Sequence, residues 1–366
     1  MFVKTQLKNI ASYSKGVQIN GDKLIDDGIY DYLNGGIVPS GKWNDFNTPG
    51  KTITISEGGN SCGYVNYMQK PFWCGAHCYY LFDTKINSEY LYYALKSQQD
   101  RLMGIRSGAC MPNIKKTDLG MFEIKYDTDE NKQEIVVKAL RNVEFIINSR
   151  LKELHQLDQL IKARFVEMFG DPVINNMNWR LQPLRESLKN IRYGTSSTPN
   201  FSDSGYSFIR ATNIKSGHIL LKDMKYISDK EAEKIKKCKL EVGEIIVVRS
   251  GVNSGDTCVI DKRFENQYAG YDIILTLCET LNSIFLNELF NTTYMDKVIK
   301  PLTRRAAQPH LNSEQIQGLP IIQVPMEMQN QFADFVQQID KSKVVVQQAL
   351  DEAQTLFDSL MQEYFG

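Results

Sequence analysis

What this chain lacks narrows its chemistry before any motif is found. No run of residues is long and apolar enough for a membrane-spanning helix, and no signal-peptide pattern opens it. The glycine fingerprint G-x-G-x-x-G and the P-loop are both missing. Gly58-Gly59-Asn60-Ser61-Cys62-Gly63 and Ser250-Gly251-Val252-Asn253-Ser254-Gly255 match neither spacing. An Asp/Asn-Pro-Pro-aromatic stretch, expected of a base-amino methyltransferase, is absent too. The seven cysteines are odd in number and scattered, which argues against a disulfide framework and for the reducing cytosol, hence a cytoplasmic chain. No excess of charge of either sign exists: 43 basic residues balance 43 acidic ones.

The chain's 366 residues and 42% hydrophobic content call for two globular domains plus connectors. Divided along the sequence, the charge is uneven: +2 over residues 1–128, −1 over 129–171, +4 over 172–325 and −5 over 326–366. Two mildly basic modules on a neutral-to-acidic frame suit the binding of a polyanion.

The frame is repeated. Residues 129–170 align without a gap on residues 325–366 at an offset of 196, pairing Gln133 with Gln329, Leu154 with Leu350 and Phe169-Gly170 with Phe365-Gly366. Apolar residues recur at heptad a and d positions in both copies, as in Val136, Leu140, Val143 and Ile161, then Phe332, Val336, Val346 and Phe357. That spacing predicts two long helices meeting along a coiled-coil seam. Arg150, Arg164 and Lys343 interrupt the seam, either by snorkelling or by marking where it opens to another subunit. Asp127 with Glu130 offers a cap for the first helix, Pro325 opens the second, and Gly170-Asp171-Pro172 stops the first.

The globular segments also repeat. Short β-type runs with turn signals come first, then a helix at Glu89–Gln98 capped by Ser88, then an irregular stretch from Gly104 to Pro112. In the later segment Gly205–Ile214 matches Gly28–Ile37, Ile246–Ser254 matches Ile53–Ser61, and Gln308-Pro309-His310-Leu311 matches Met111-Pro112-Asn113-Ile114. The chain is therefore a tandem duplication of module and helix. If a two-fold axis relates the halves, the helices are antiparallel partners. Each spans on the order of 60 Å, against roughly 34 Å for a turn of DNA.

Several small constellations have ordinary explanations. Asp118 with Glu123 and Lys125 resembles the carboxylate-and-lysine set of a metal-dependent nuclease, but so short a match arises by chance. Cys74, His77 and Cys78 have the makings of a zinc site; the later module supplies no equivalent ligands, and buried free thiols are the simpler reading.

The loops carry the sharper signal. In the later module they offer Arg210, Thr212, Asn213 and Lys215, then Arg249, Ser250, Asn253 and Ser254, then Arg304, Arg305, Gln308 and His310. Their equivalents in the first module are Asn34 and Lys42, then Asn60 and Ser61, then Arg106 and Ser107, a less basic set that also contains Glu57. Guanidinium and amide groups grip base edges, hydroxyls hold phosphates, and glycines let the backbone approach. These are the candidate DNA-binding residues; turn residues carrying solvated charges are the alternative for any one of them.

The duplicated helix, the small-residue loop ending in Pro-Asn or Pro-His, and the Phe-Gly ends together resemble the DNA-specificity subunit of a type I restriction-modification system. That resemblance implies an α+β fold: two similar α/β target-recognition domains at 1–128 and 172–325, joined by antiparallel coiled-coil helices at 129–171 and 326–366 in a pseudo-two-fold repeat. It implies a non-catalytic subunit that reads a bipartite target in double-stranded DNA. Two methyltransferase (modification) subunits would dock on the helices, restriction and translocase subunits would join them, and no membrane is involved. S-adenosylmethionine, ATP and Mg²⁺ would be bound by the partners and not by this chain. Module one departs from the pattern by having Met111 where module two has Gln308. A non-catalytic coiled-coil scaffold with two protein-binding modules is the competing reading.

Overall fold

The computed structural model describes residues 1–108, 112–303 and 310–366. The chain divides into two compact units, Met1–Leu151 with Gln348–Gly366, and Lys152–Gln347. Both division points lie within the long helices, Glu130–Phe169 and Met326–Phe365. Each unit therefore owns half of each helix. The first helix stops at Gly170, where φ is +76° and a Cβ would meet the Asn176 side-chain oxygen at 2.2 Å.

In the first unit, four antiparallel strands lie in the order Ser12–Lys15, Cys78–Phe82, Thr52–Ser56, Val65–Met68. Thr52–Ser56 is buried throughout, and its β-branched Thr-Ile-Thr-Ile run fits a central strand covered on both faces. A second sheet orders Gly41–Trp43, Tyr30–Leu33 and Phe72–Cys74, the last two parallel. The helix Ser88–Lys96 packs on the first sheet, burying Tyr90, Leu91, Tyr93, Ala94 and Leu95. Its cap is Asn87, whose side chain accepts from the N–H groups of Glu89 and Tyr90 at 3.0 and 3.1 Å; Ser88 is the first helical residue instead. Tyr90 and Tyr93 share a core with Val136, Val137 and Leu140 of one long helix and with Phe357, Leu360, Met361, Tyr364 and Phe365 of the other.

The second unit has the same plan. Its main sheet runs Leu188–Tyr193, Ile273–Leu277, Ile245–Val247, Thr257–Val259, again antiparallel. Tyr206–Ile209 and Tyr268–Ala269 pair in parallel, as Tyr30–Leu33 and Phe72–Cys74 do. Asn282 caps the helix Ser283–Leu289 as Asn87 caps its counterpart. Phe165, Phe169, Phe285 and Phe332 form one aromatic cluster with ring centroids 5.0 to 5.6 Å apart. Further along, Lys343 bonds Asp158 at 2.7 Å, so within this unit residue numbers fall on one helix as they rise on the other. The helix halves are antiparallel. Lys343 also meets Asp340 at 3.3 Å, and Arg164 pairs with Glu167 and lies over the Phe335 ring; ion pairing accommodates both seam charges.

Strand pairing corrects the register of the internal repeat. Leu33 lies opposite Cys74 as Ile209 lies opposite Ala269, and Ile55 lies opposite Tyr79 as Val247 lies opposite Ile273. Both sequence matches are one residue out. Arg210 is the counterpart of Asn34, and Arg249 is the counterpart of Glu57. The isolated bridges agree, since Ser250 pairs with His310 as Gly58 pairs with Asn113.

Candidate nucleic-acid interface

The richest cluster in the second unit surrounds Arg249, the residue just beyond the central strand Ile245–Val247 and Val248. Its guanidinium lies between the rings of Tyr193 and Tyr271, with centroids at 4.7 and 4.5 Å. Its Nη2 and Nε approach His310 Nε2 at 3.1 and 3.3 Å. Since a guanidinium only donates, that imidazole nitrogen accepts. The Arg249 N–H donates to Asp272 Oδ1 at 3.0 Å, and the Arg249 carbonyl accepts from Leu311 N at 2.8 Å. Asp272 is buried, and burial pushes its carboxyl up to about 6, against the pull of the Arg249 N–H and charge. The result is a cation whose backbone is fixed on both sides and whose side chain is half-buried between exposed aromatic rings.

The equivalent place in the first unit has the opposite sign. The Glu57 N–H donates to the His77 carbonyl at 2.9 Å, and its own carbonyl accepts from Ile114 N at 2.8 Å. Its carboxylate is held by Lys15, with His77 Nδ1 3.4 Å away. Lys15 lies opposite Tyr79 as Tyr193 lies opposite Ile273. Lys15 therefore stands where Tyr193 does, and His77 where Tyr271 does. Gly16 and Gly194 follow these residues, and at both a Cβ would collide with a carbonyl oxygen, of Cys74 at 1.9 Å and of Gly270 at 1.7 Å. The same strand end is thereby pinned against the second sheet in each unit.

The other candidates separate into surface groups and framework. Lys42, Asn60, Arg106, Ser107, Thr212 and Lys215 are exposed. Ser250 is half-buried beside His310. Arg210 donates to the Asp223 carbonyl at 2.7 Å and lies 6.0 Å from the Phe201 ring centroid, half-buried. Asn213 must be reassigned. It is 1% exposed, its amide donates to the Leu220 and Lys222 carbonyls, and its oxygen accepts from the Arg210 N–H, so nothing remains to offer a base. Ser254 is likewise buried, with its hydroxyl donating to the Arg249 carbonyl at 3.1 Å. Ser61 donates to the Gly35 carbonyl at 2.6 Å, the Asn34 oxygen accepts from the His77 N–H at 3.1 Å, and Asn253 reaches the Ala211 and Ile214 carbonyls. These side chains shape the loops. Arg304, Arg305 and Gln308 lie outside the described residues.

One basic surface escaped the sequence reading. Lys189, Lys236, Lys237 and Lys239, outnumbering Glu241 and Glu244, line a groove of about 470 Å³ in the second unit. Its floor is Arg192, which donates to Glu244 Oε2 at 2.7 Å and to the Lys239 carbonyl at 2.9 Å. The crowded lysines from Lys234 to Lys239 were the available signal.

Elsewhere, Cys62, Cys74 and Cys78 are buried free thiols, while exposed His77 turns to Glu57. Among the described residues no group of three or more His, Cys, Asp or Glu is placed to hold a metal, and no helix is long and apolar enough to cross a membrane.

The sequence profile of the family described as "Type I restriction modification DNA specificity domain" matches residues 2–157 and again 186–353. A putative type I specificity subunit from Mycoplasma genitalium is 30% identical over 200 residues, covering 53% of this chain and 51% of the relative. A putative type I specificity subunit from Mycoplasma pneumoniae is 33% identical over 198 residues, covering 53% of this chain and 52% of the relative. The chain thus spans about half the length of these two relatives. The EcoKI specificity subunit of Escherichia coli K12 is 21% identical over 341 residues, covering 86% of this chain and 73% of its own. The fold resembles the crystal structure of a type I restriction-modification S subunit from M. genitalium, with a TM-score of 0.65 at 19% identity, over 100% of this chain and 96% of the other. Matched twice along its length by the family profile, this chain belongs to the type I restriction modification DNA specificity domain family.

Proposed function

We propose that this chain is the sequence-reading subunit of a type I restriction-modification complex, with each unit contacting one half of a bipartite target in double-stranded DNA. The observation that carries the reading is the duplication itself. One framework occurs twice, with its loop chemistry changed between copies from Arg249, Tyr193 and Tyr271 to Glu57, Lys15 and His77. A framework kept while its surface groups change is what two different half-sites require. Lys189, Lys236, Lys237 and Lys239 supply a phosphate-binding surface in the second unit.

Catalysis belongs to other subunits in this reading. S-adenosylmethionine, ATP and Mg²⁺ are bound by the partners, and the assembly works in the cytoplasm. The long helices offer the docking faces for two modification subunits, with the restriction subunits joining them. Support comes from large apolar side chains left exposed on these helices: Ile135, Phe145 and Leu356 in the first unit, Val166, Val344 and Val345 in the second. Family membership favours this reading over a scaffold that binds only proteins.

Co-expression with the modification subunit tests it. Mapping of methylated bases in host DNA is expected to return a two-part motif. A duplex carrying that motif is expected to bind the purified complex with an affinity that falls steeply with salt. Absence of any methylated motif, or binding indifferent to sequence, would overturn the reading.

A further inference from the structure

Arg249 and Glu57 occupy one structural position with opposite charge. Both lie one residue beyond the last residue whose N–H and carbonyl close the hairpin to the next strand: Val248 with Asp256 and Gly255, Ser56 with Tyr64 and Gly63. Both have their carbonyls fixed by the residue after the Pro-Asn or Pro-His step, Ile114 and Leu311. Their N–H groups are fixed too, by the His77 carbonyl and by Asp272. Backbone geometry is therefore held constant while the side chain is free to differ. The side chains around each differ with it, Lys15 and His77 beside Glu57 against Tyr193, Tyr271 and His310 beside Arg249, and the residue bridged to the next position is Asn113 in one unit and His310 in the other.

We infer that this position is a specificity-determining residue in each unit, with Glu57 reading an exocyclic amino group and Arg249 reading guanine in their respective half-sites. The inference rests on the proposed function and adds residues and bases to it. A carboxylate can only accept, so in the major groove it matches the amino group of cytosine or adenine; a guanidinium can only donate, and its fork matches guanine O6 and N7. Beside a phosphate a carboxylate would be repelled, which argues against a purely backbone-gripping role for this position. Lys15 takes one lone pair of Glu57 Oε1 and His77 Nδ1 stands 3.4 Å from Oε2 without a hydrogen bond to it, so the carboxylate, 13% exposed, keeps lone pairs for a base, while Lys15, itself 43% exposed, offsets the repulsion between the carboxylate and DNA. The tyrosine pair does the corresponding work for Arg249 by holding its plane without consuming its donors.

The test uses the full chain co-expressed with its modification subunit, with methylated motifs mapped for the parent, Glu57→Gln and Arg249→Gln. The parent motif tests the proposed function: no two-part motif means that reading has failed, whatever the variants do. Given a two-part motif, each variant is expected to admit another base at one position of one half only, raising methylation of that alternative at least about tenfold. Glu57 and Arg249 must affect different halves, and the relaxed base must be an amino-bearing base for Glu57 and guanine for Arg249. Motifs unchanged in both variants overturn the inference. So does a loss spread evenly over all positions, because a phosphate contact weakens every target alike. If a glutamine variant methylates nothing, Glu57→Asp or Arg249→Lys decides. Relaxation at the single position supports the assignment, and even loss or no change overturns it.

Discussion

The side-chain oxygen of Gln133 accepts from the backbone N–H of Asn87 at 3.0 Å, while its amide nitrogen donates to the Asp127 carbonyl at 2.7 Å. Gln329 repeats the contact, accepting from Asn282 N at 2.8 Å and donating to the Val324 carbonyl at 2.7 Å. One glutamine thus ties the start of a long helix to the cap of the shorter helix packed in the same unit. Both side chains are at most 2% exposed, so water cannot substitute.

Gln133→Leu strips partners from two backbone groups, and Gln329→Leu from three, since the Gln329 amide nitrogen also donates to the Thr280 carbonyl at 3.3 Å. Each is expected to destabilise its own unit by about 2 to 4 kcal/mol. Hydrogen exchange resolved by segment checks this. Protection should fall in residues 1–151 for the first variant and in 152–347 for the second, and uniform loss in both would contradict it.

Tyr271 is 45% exposed, so Tyr271→Leu is expected to change unfolding free energy by no more than roughly 0.5 kcal/mol. Its ring steadies Arg249, and DNA affinity should fall by about 0.5 to 1.5 kcal/mol. Anisotropy titrations at fixed salt measure the change. An unaltered affinity would mean that the ring does not hold Arg249 for DNA.

Asp272 carries a pH signature. Its folded-state value of about 6 lies above that of an unfolded aspartate near 3.8, so the folded chain takes up this proton more readily. Stability contributed by the group therefore rises as pH falls through 6 and levels off below about 4. Asp272→Asn keeps an oxygen for the Arg249 N–H and removes the buried charge. The variant is expected to be more stable than the parent at pH 8 by roughly 1 to 3 kcal/mol, with the difference vanishing near pH 4. Urea unfolding at several pH values tests it, and a pH-independent difference would refute the assignment.

Glu244 is 3% exposed, and Arg192 is its cationic partner. Arg192→Met leaves a buried carboxylate uncompensated and is expected to cost about 2 to 4 kcal/mol. Adding Glu244→Gln should recover much of that, because its amide oxygen can take the Glu241 N–H at the Oε2 position while its amide nitrogen, at the Oε1 position, donates to the Thr276 hydroxyl oxygen. A double-mutant cycle by chemical denaturation measures the coupling.

The frame was more legible in the sequence than the site. Both long helices announced themselves through sustained heptads, a gapless second copy and the Gly170 stop, all of which depend on residue type alone. The caps were less clear. Ser88 and Asn87 are both good cap residues, and tertiary contact with Gln133 fixes Asn87 in that role. Loop register was lost by one residue, because Ile53–Ser61 and Ile246–Ser254 were matched on an Asn-Ser pair that lies past the conserved geometry. That slip set Arg249 against Ser56 and hid the charge reversal with Glu57. Asn213 looked like a base reader because the sequence cannot show an amide turned inward onto carbonyls.

The division of the helices between units has a consequence for synthesis on the ribosome. Residues 152–347 are contiguous, so the second unit is complete as soon as residue 347 has emerged. The first unit, although translated earlier, waits for segment 348–366 to cover Tyr90 and Tyr93 with Phe357, Leu360 and Phe365. Until then its apolar helix face stays open, and the half translated later is the first able to close.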